Sequence, residues 1–322
     1  MSVNDWRPTA SNTNLRLRAE ILARIRAFFA SREILEVETP LMSRATVTDL
    51  HLHTLSTRAD IPALGENIPL HLQTSPEFAM KRLLASGAGP IYQICKAFRD
   101  LESGRLHNPE FTMLEWYRPG WDHLRLMDEV GDLLGEILGT PPPILRTYGE
   151  VFTTELGVDP HNDDAETLRR QALKHGLDPI DGLDREGWLS LMMTQLIEPS
   201  LGRGAPAIVF DYPADQAALA RIRDDDPPVA ERFEVYVEGI ELANGYHELK
   251  DAEEQRRRFE HDLEIRKSRG LGLPPIDHRL IAALDHGLPD CAGVALGIDR
   301  LVMLAAGASR LDEVIAFPIE RA

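Results

Sequence analysis

Cysteine is scarce: the 322 residues include two, Cys95 and Cys291, each inside an apolar stretch. That excludes a disulfide framework and a cysteine-built zinc module, and it suits buried thiols in a reducing compartment, so the expected location is cytoplasmic. Long apolar runs are missing as well. No segment has the length to span a bilayer, and the opening MSVNDWRPTASN lacks the basic-then-apolar plan of a signal peptide, so no membrane partner is expected. Positive charge is in deficit, with 35 Lys and Arg against 52 Asp and Glu and a formal charge of −17. Proteins that grip a long nucleic-acid backbone carry the opposite balance; a small substrate or a basic macromolecular partner fits better. The sequence also lacks a P-loop lysine motif, a Ser/His/Asp triad pattern, internal repeats and low-complexity tracts. What is present is ordinary globular composition, 43% hydrophobic and 27% charged, on a chain long enough to bury a sizeable core.

The chain is organised around residues 92–119, YQICKAFRDLESGRLHNPEFTMLEWYRP. Tyr92, Ile94, Ala97 and Phe98 stand among polar residues as in a strand, and residues 111–117 form a second, apolar-aromatic strand. Between them, residues 99–108 make a long charged loop. Loops of this length in compact domains tend to be functional. Arg99, Arg105, His107 and Asn108 supply cationic and hydrogen-bonding groups suited to phosphate or a planar base; the plain alternative is a solvated turn.

Upstream, Leu15, Leu22, Ile25 and Phe29 repeat at helical spacing within residues 13–31, with Arg16, Arg18, Arg24 and Arg26 on other positions. Leu35 and Val37 alternate with Glu36 and Glu38 as a short strand ended by Pro40. TDLHLHTLSTR (48–58) alternates as another strand. LHLQTSPE (70–77) reads as strand and turn, with Ser75 or Glu77 capping a helix that stops at Gly87. Residues 120–226 are less specific: an amphipathic helix broken by Pro141, Pro142 and Pro143, a mixed helical region, and a buried strand AIVFDYP. His161, His175, Asp163 and Asp164 read there as scattered solvated residues. In RFEVYVEGIELANGYHEL, alternation is clear; Gly239 permits a bulge and Asn244-Gly245 marks a turn. On that pattern Glu241 and Glu248 converge at one mouth of a sheet. Two carboxylates with an asparagine amide suit Mg²⁺; exposed strand glutamates are the plain alternative. A charged helix follows from Asp251 to Gly270, its arginines a solvated face. Last come the small-residue strand CAGVALG and a helix led by Asp299 and Arg300.

FRDLESGRLHNPEFTMLEWY closely resembles the second signature motif of the class II aminoacyl-tRNA synthetases, in its lysyl form. The helix, strand and Pro40 resemble the first motif, and strand–Gly297–Asp299–Arg300–helix resembles the third, in the correct order. GIELANGYHEL resembles the lysyl segment that binds metal and substrate. The resemblance spans essentially the whole chain and points to the short lysyl-synthetase paralogues that attach a lysine-type residue to translation elongation factor P. It implies an α+β class II catalytic core over residues 1–322, an antiparallel β-sheet flanked by helices, paired as a homodimer through the first motif. It implies ATP and Mg²⁺, activation of (R)-β-lysine as an adenylate, and transfer to a lysine ε-amine of elongation factor P.

Residue by residue, the resemblance makes Arg99 and Arg300 catalytic. ATP falls to Arg99, Asp100, Leu101, Glu102, Arg105, His107, Asn108, Phe111, Glu241, Leu242, Gly297 and Arg300. The amino acid falls to Ser75, Pro76, Glu77, Tyr117, Asn244, Glu248 and Ala295, and Mg²⁺ to Glu241 and Glu248. Leu101 departs from the family, which usually has an acidic residue there, so the adenine amine meets either Glu102 or the Leu101 carbonyl. Ala295 stands where lysyl-tRNA synthetases usually have glycine; one methyl biases between substrates by ~1–3 kcal/mol. Few residues precede the first helix, so the anticodon-binding domain of those enzymes, and with it tRNA anticodon binding, is expected to be missing. A stand-alone ligase acting on a small amine or on tRNA, and a regulatory paralogue that only binds an amino acid, stay open as alternatives.

Overall fold

The computed structural model describes residues 6–322. Among them the helices are α1 (Asn12–Ala30), α2 (Glu77–Ala85), α3 (His123–Leu138), α4 (Tyr148–Leu156), α5 (Ala165–Lys174), α6 (Arg185–Met192), α7 (Ala252–Ser268), α8 (His278–Gly287) and α9 (Ile298–Ala305). The strands begin with β1 (Leu35–Glu36), β2 (Met42–Ser43), β3 (Ser56–Ile61), β4 (Gly65–Leu72), β5 (Ile91–Phe98) and β6 (Glu110–Pro119). They continue with β7 (Ile144–Thr147), β8 (Ala207–Pro213), β9 (Ile222–Arg223), β10 (Val229–Val237), β11 (Ile240–His247) and β12 (Cys291–Gly297). No helix among the described residues is long and apolar enough to cross a membrane. Two compact units result. The first holds residues up to Gly120, Lys250–Asp290 and Ala295–Ala322; the second holds Trp121–Leu249 and Cys291–Val294.

In the first unit, α1 starts where Ser11 accepts the Asn14 N–H and buries Ile21, Ile25, Phe28 and Phe29. Phe29 stacks on Tyr92 of β5 at 4.4 Å between centroids and meets Trp116 of β6 edge-on. The β5–β6 hairpin keeps register from Ile91↔Tyr117 to Phe98↔Glu110, so the strand–loop–strand reading of this stretch is the observed structure. β1 is only two residues long and pairs parallel with β5. The expected strand at 48–58 begins only at Ser56: Thr48 lies in a loop, where its hydroxyl donates to Asp262 on α7 at 2.6 Å. Strands β2, β4 and β3 form a separate small sheet.

In the second unit, Tyr148 and Phe152 of α4, Trp188 and Leu189 of α6, and Val209 and Tyr212 of β8 form the core. β10 pairs antiparallel with β8 and β11, while β7 pairs parallel with β8. The sheet is therefore mixed rather than purely antiparallel; the chain between β1 and β5, and that between β7 and β8, are each long enough to return a strand in the parallel sense. Helix α3 ends at Gly139 in the left-handed conformation, before the prolines. Asp164 and His175 are exposed, as expected, and stand as the caps of α5.

Candidate functional site

In the first unit the hairpin register leaves residues 99–109 outside the ladder. The Arg99 N–H donates to Pro109 O at 2.9 Å and closes the neck of the loop. The Arg99 guanidinium lies 5.1 Å from the Phe111 ring and 3.6 Å from Glu102 Oε1, and its Nε is buried without a partner. A buried cationic donor left unsatisfied is costly, and it marks a position that an anion would complete. Leu101 adopts φ 65° and is 76% exposed, so its side chain turns to solvent while Glu102 leans on Arg99. Asp100 accepts the Leu101 N–H at 2.9 Å, and its own N–H donates to His53 O at 2.7 Å.

Arg300, in the first turn of α9, reaches back to the same loop, with Nη2 at 2.8 Å from His107 Nε2. A guanidinium only donates, so Nε2 accepts and the imidazole proton sits on Nδ1. Burial, then the charge of Arg300, pushes the His107 pKa below its ordinary value. Arg105 and Asn108 are committed differently. Arg105 Nη1 donates to Ser309 O at 3.0 Å, and the Leu311 N–H donates to Arg105 O. Asn108 donates to Glu110 O at 2.6 Å and accepts the Ile319 N–H at 3.0 Å. These two side chains latch the loop to the C-terminal segment. Gly297 has φ −75°, a conformation open to any residue, so its use there is not a matter of backbone freedom.

Ser75 and Pro76 lead into α2. Pro76 is the N-cap and offers no side-chain acceptor, and Ser75 Oγ lies 3.4 Å from the Glu77 N–H. Glu77 accepts from the buried Lys81 ammonium at 2.6 Å, so its charge is already compensated. On β6 the Tyr117 hydroxyl donates to Glu115 Oε1 at 2.6 Å, with both residues buried. Burial, with Glu115 adding to it, pushes the nearby Cys95 thiol up to about 12. Glu115 escaped the sequence reading because it sits inside an apolar-aromatic run. Its spacing two residues before Tyr117, on one face of a strand, was the available signal. Ala295 is half-buried on β12.

In the second unit Glu238 and Gly239 form a two-residue hairpin turn with φ 53° and 75°, and Val237 pairs with Ile240. The bulge lies instead at Leu242: Tyr236 pairs with Glu241 and Val235 with Ala243. Asn244-Gly245 is not a turn but the middle of β11. Gly245 is needed because Phe233, its cross-strand partner, fills the space above it: a Cβ there would meet Phe233 Cζ at 2.4 Å. The bulge has a larger consequence. Residues 241 and 248 are an odd number apart and would face opposite sides of a regular strand; one extra residue reverses the parity. Burial follows suit, with Glu241, Asn244 and Tyr246 half-buried and Ala243, Gly245 and His247 buried. Glu241, Asn244 and Glu248 therefore share a face. Glu248 follows β11, its N–H donating to Cys291 O at 2.9 Å, and Asn244 Oδ1 is buried without a hydrogen-bond partner. An all-oxygen set with an orphaned amide carbonyl fits a hard cation such as Mg²⁺.

His123, Glu231 and His247 also bring ligand atoms within 4.8 Å of one another. Glu231 already holds Arg221 at 2.7 Å and His247 Nδ1 at 2.9 Å, with Arg223 at 3.5 Å. Arg223 in turn pairs Asp211 at 2.7 Å. A divalent ion there would face two guanidinium charges, so the cluster is an ion-pair network. Burial would raise the Glu231 pKa, but His247 and Arg221 hold it down to about 2.

A sequence model of the tRNA synthetases class II (D, K and N) matches residues 2–321. The chain is 54% identical over 319 residues to a Salmonella dublin protein named elongation factor P–(R)-beta-lysine ligase, with 98% of both chains covered. It is 54% identical to the protein of that name from Pectobacterium carotovorum and 53% identical to that of Pectobacterium atrosepticum, over the same shares.

Proposed function

The chain belongs to the class II tRNA synthetases (D, K and N), and on that premise we propose that it activates (R)-β-lysine with ATP and transfers the β-lysyl group to a lysine ε-amine of translation elongation factor P. The observation that carries this reading is the match to relatives of that name across 98% of both chains. The acidic balance of the chain, −17 overall, speaks against a long nucleic-acid footprint.

In the first step an amino-acid carboxylate attacks the α-phosphorus of ATP and expels pyrophosphate. Two anions must meet in line, so positioning and cationic groups matter more than a protein nucleophile. We assign Arg99 to the α-phosphate and the carboxylate, on the strength of its unsatisfied buried donor. Phe111 and Arg300 take the faces of adenine, and His107 the outer phosphates. Each unit offers groups suited to an amine of the substrate: Glu115 and Tyr117 of β6 in the first, Asn244 of β11 and the adjoining Glu248 in the second. Glu241 and Glu248 would hold Mg²⁺, which would offset negative charge on the nucleotide. In the second step the ε-amine attacks the acyl carbon; the new C–N bond forms as the C–O bond to AMP breaks. Leu35 and Met42, within and just after the first motif, are 56% and 50% exposed, and apolar side chains exposed there support pairing of two copies through that motif.

Pyrophosphate exchange with (R)-β-lysine or L-α-lysine, followed by transfer to purified elongation factor P or to tRNA, tests the proposal. Exchange with β-lysine and label on the protein alone is expected. Label on tRNA makes the chain a minimal tRNA synthetase, and no exchange with either amino acid makes it a binding paralogue.

A further inference from the structure

Three side chains from distant parts of the first unit close a ring of hydrogen bonds. Arg18 of α1 donates from Nη1 to Asp299 Oδ1 at 2.6 Å and from Nη2 to Thr112 Oγ1 at 2.7 Å. Asp299 Oδ2 then accepts the backbone N–H of Thr112 at 2.7 Å. Asp299 is 4% exposed and Thr112 7%. A carboxylate this buried requires a cation and satisfied lone pairs, and here both oxygens are used. The fork of the guanidinium matters: one planar group spans two acceptors, which a lysine ammonium on the same stem does not reproduce.

What the ring holds is specific. Thr112 follows Phe111 on β6, and Asp299 precedes Arg300 in the first turn of α9. The two members fixed by Arg18 are thus the chain neighbours of the two residues assigned to opposite faces of adenine. α1 is itself tied to the segment beyond α9, where Asn14 Nδ2 donates to Glu313 O at 2.8 Å. Arg18 therefore acts from a braced position.

We propose that Arg18 is a positioning residue for ATP: through Asp299 and Thr112 it sets the spacing between Phe111 and Arg300, and so the grip on the adenine ring. The proposal rests on the adenine assignment made above. Removing the fork leaves the phosphate contacts intact but loosens the base, so ligands that carry adenine suffer and ligands that are only phosphate do not.

The experiment compares inhibition of pyrophosphate exchange by adenosine and by inorganic tripolyphosphate in wild type, Arg18→Lys, Thr112→Val and Phe111→Ala. In Arg18→Lys the KM for ATP and the Ki for adenosine are expected to rise about tenfold, with the Ki for tripolyphosphate and the KM for the amino acid within twofold of wild type. Thr112→Val, an isosteric change that removes one acceptor of the fork, is expected to move the same two constants about threefold and decides the matter if Arg18→Lys does not fold. If folded variants leave adenosine inhibition unchanged while Phe111→Ala weakens it, Arg18 has no positioning role. If Phe111→Ala also leaves it unchanged, the adenine assignment itself falls. A parallel rise in the tripolyphosphate constant shows general loss of structure and overturns the proposal as well.

Discussion

Arg300 and His107, 193 residues apart in the chain, share a 2.8 Å hydrogen bond in which the arginine donates and the imidazole accepts. The bond ties the third family motif to the second and keeps His107 neutral. On the assignments proposed above, an incoming nucleotide would draw Arg300 to the base and give His107 a negative neighbour.

ATP binding should therefore take up a proton. In the free protein His107 titrates below the ordinary imidazole value, burial being the main cause and Arg300 the next. Phosphate raises it, so between the two values the bound state holds more protons and affinity grows as pH falls through that window. Titration calorimetry near pH 6 in two buffers of different ionisation enthalpy should report uptake, and His107→Gln should abolish it. Proton release, or none, contradicts the assignment of His107 to the phosphates.

Ala295→Gly should widen substrate choice. Ala295 is assigned to the amino acid by the family resemblance, and removing one methyl there would be worth ~1–3 kcal/mol, so the ratio of α-lysine to (R)-β-lysine exchange should rise roughly 5- to 150-fold. An unchanged ratio places the determinant on another residue.

Gly245→Ala should destabilise the second unit by about 1–3 kcal/mol through overpacking against a fully buried ring. Phe233→Leu in the same chain should recover part of that loss, because the two residues are direct cross-strand partners. Denaturant melts of the four proteins of the cycle measure the coupling; strict additivity speaks against the steric account.

Glu231→Gln should flatten the acid limb of stability. The carboxyl is held down to about 2, chiefly by His247 and Arg221 against its burial. Because the folded state binds fewer protons than the unfolded state above that value, stability rises with pH up to the ordinary carboxylate range and is lost as pH falls back through it, a contribution of order 3 kcal/mol. The variant should melt lower at neutral pH and vary less between pH 5 and 2.

The sequence by itself determined the second-motif hairpin, the order of motifs and the oxygen-rich β11 segment, because each rests on local information. Alternation defines β5 and β6 on either side of the loop, and residue identities in the loop carry the family resemblance. It also named Arg99 and Phe111, which flank one loop; that they lie 5.1 Å apart came from the structure. Contacts between residues distant in the chain were beyond it. Arg105 and Asn108 read as ligands for ATP; that they also tie the loop to Ser309, Leu311 and Ile319, some two hundred residues away, is visible only in the fold. The bulge was expected at Gly239, whereas packing of Phe233 against Gly245 makes β11 run straight through Asn244 and moves the irregularity to Leu242. Side-chain period decides which residues share a strand face, but only the register of the neighbouring strand decides where that period slips. Arg18 is the same case: on its helix it is one polar residue among four arginines, and only the buried carboxylate of Asp299 distinguishes it.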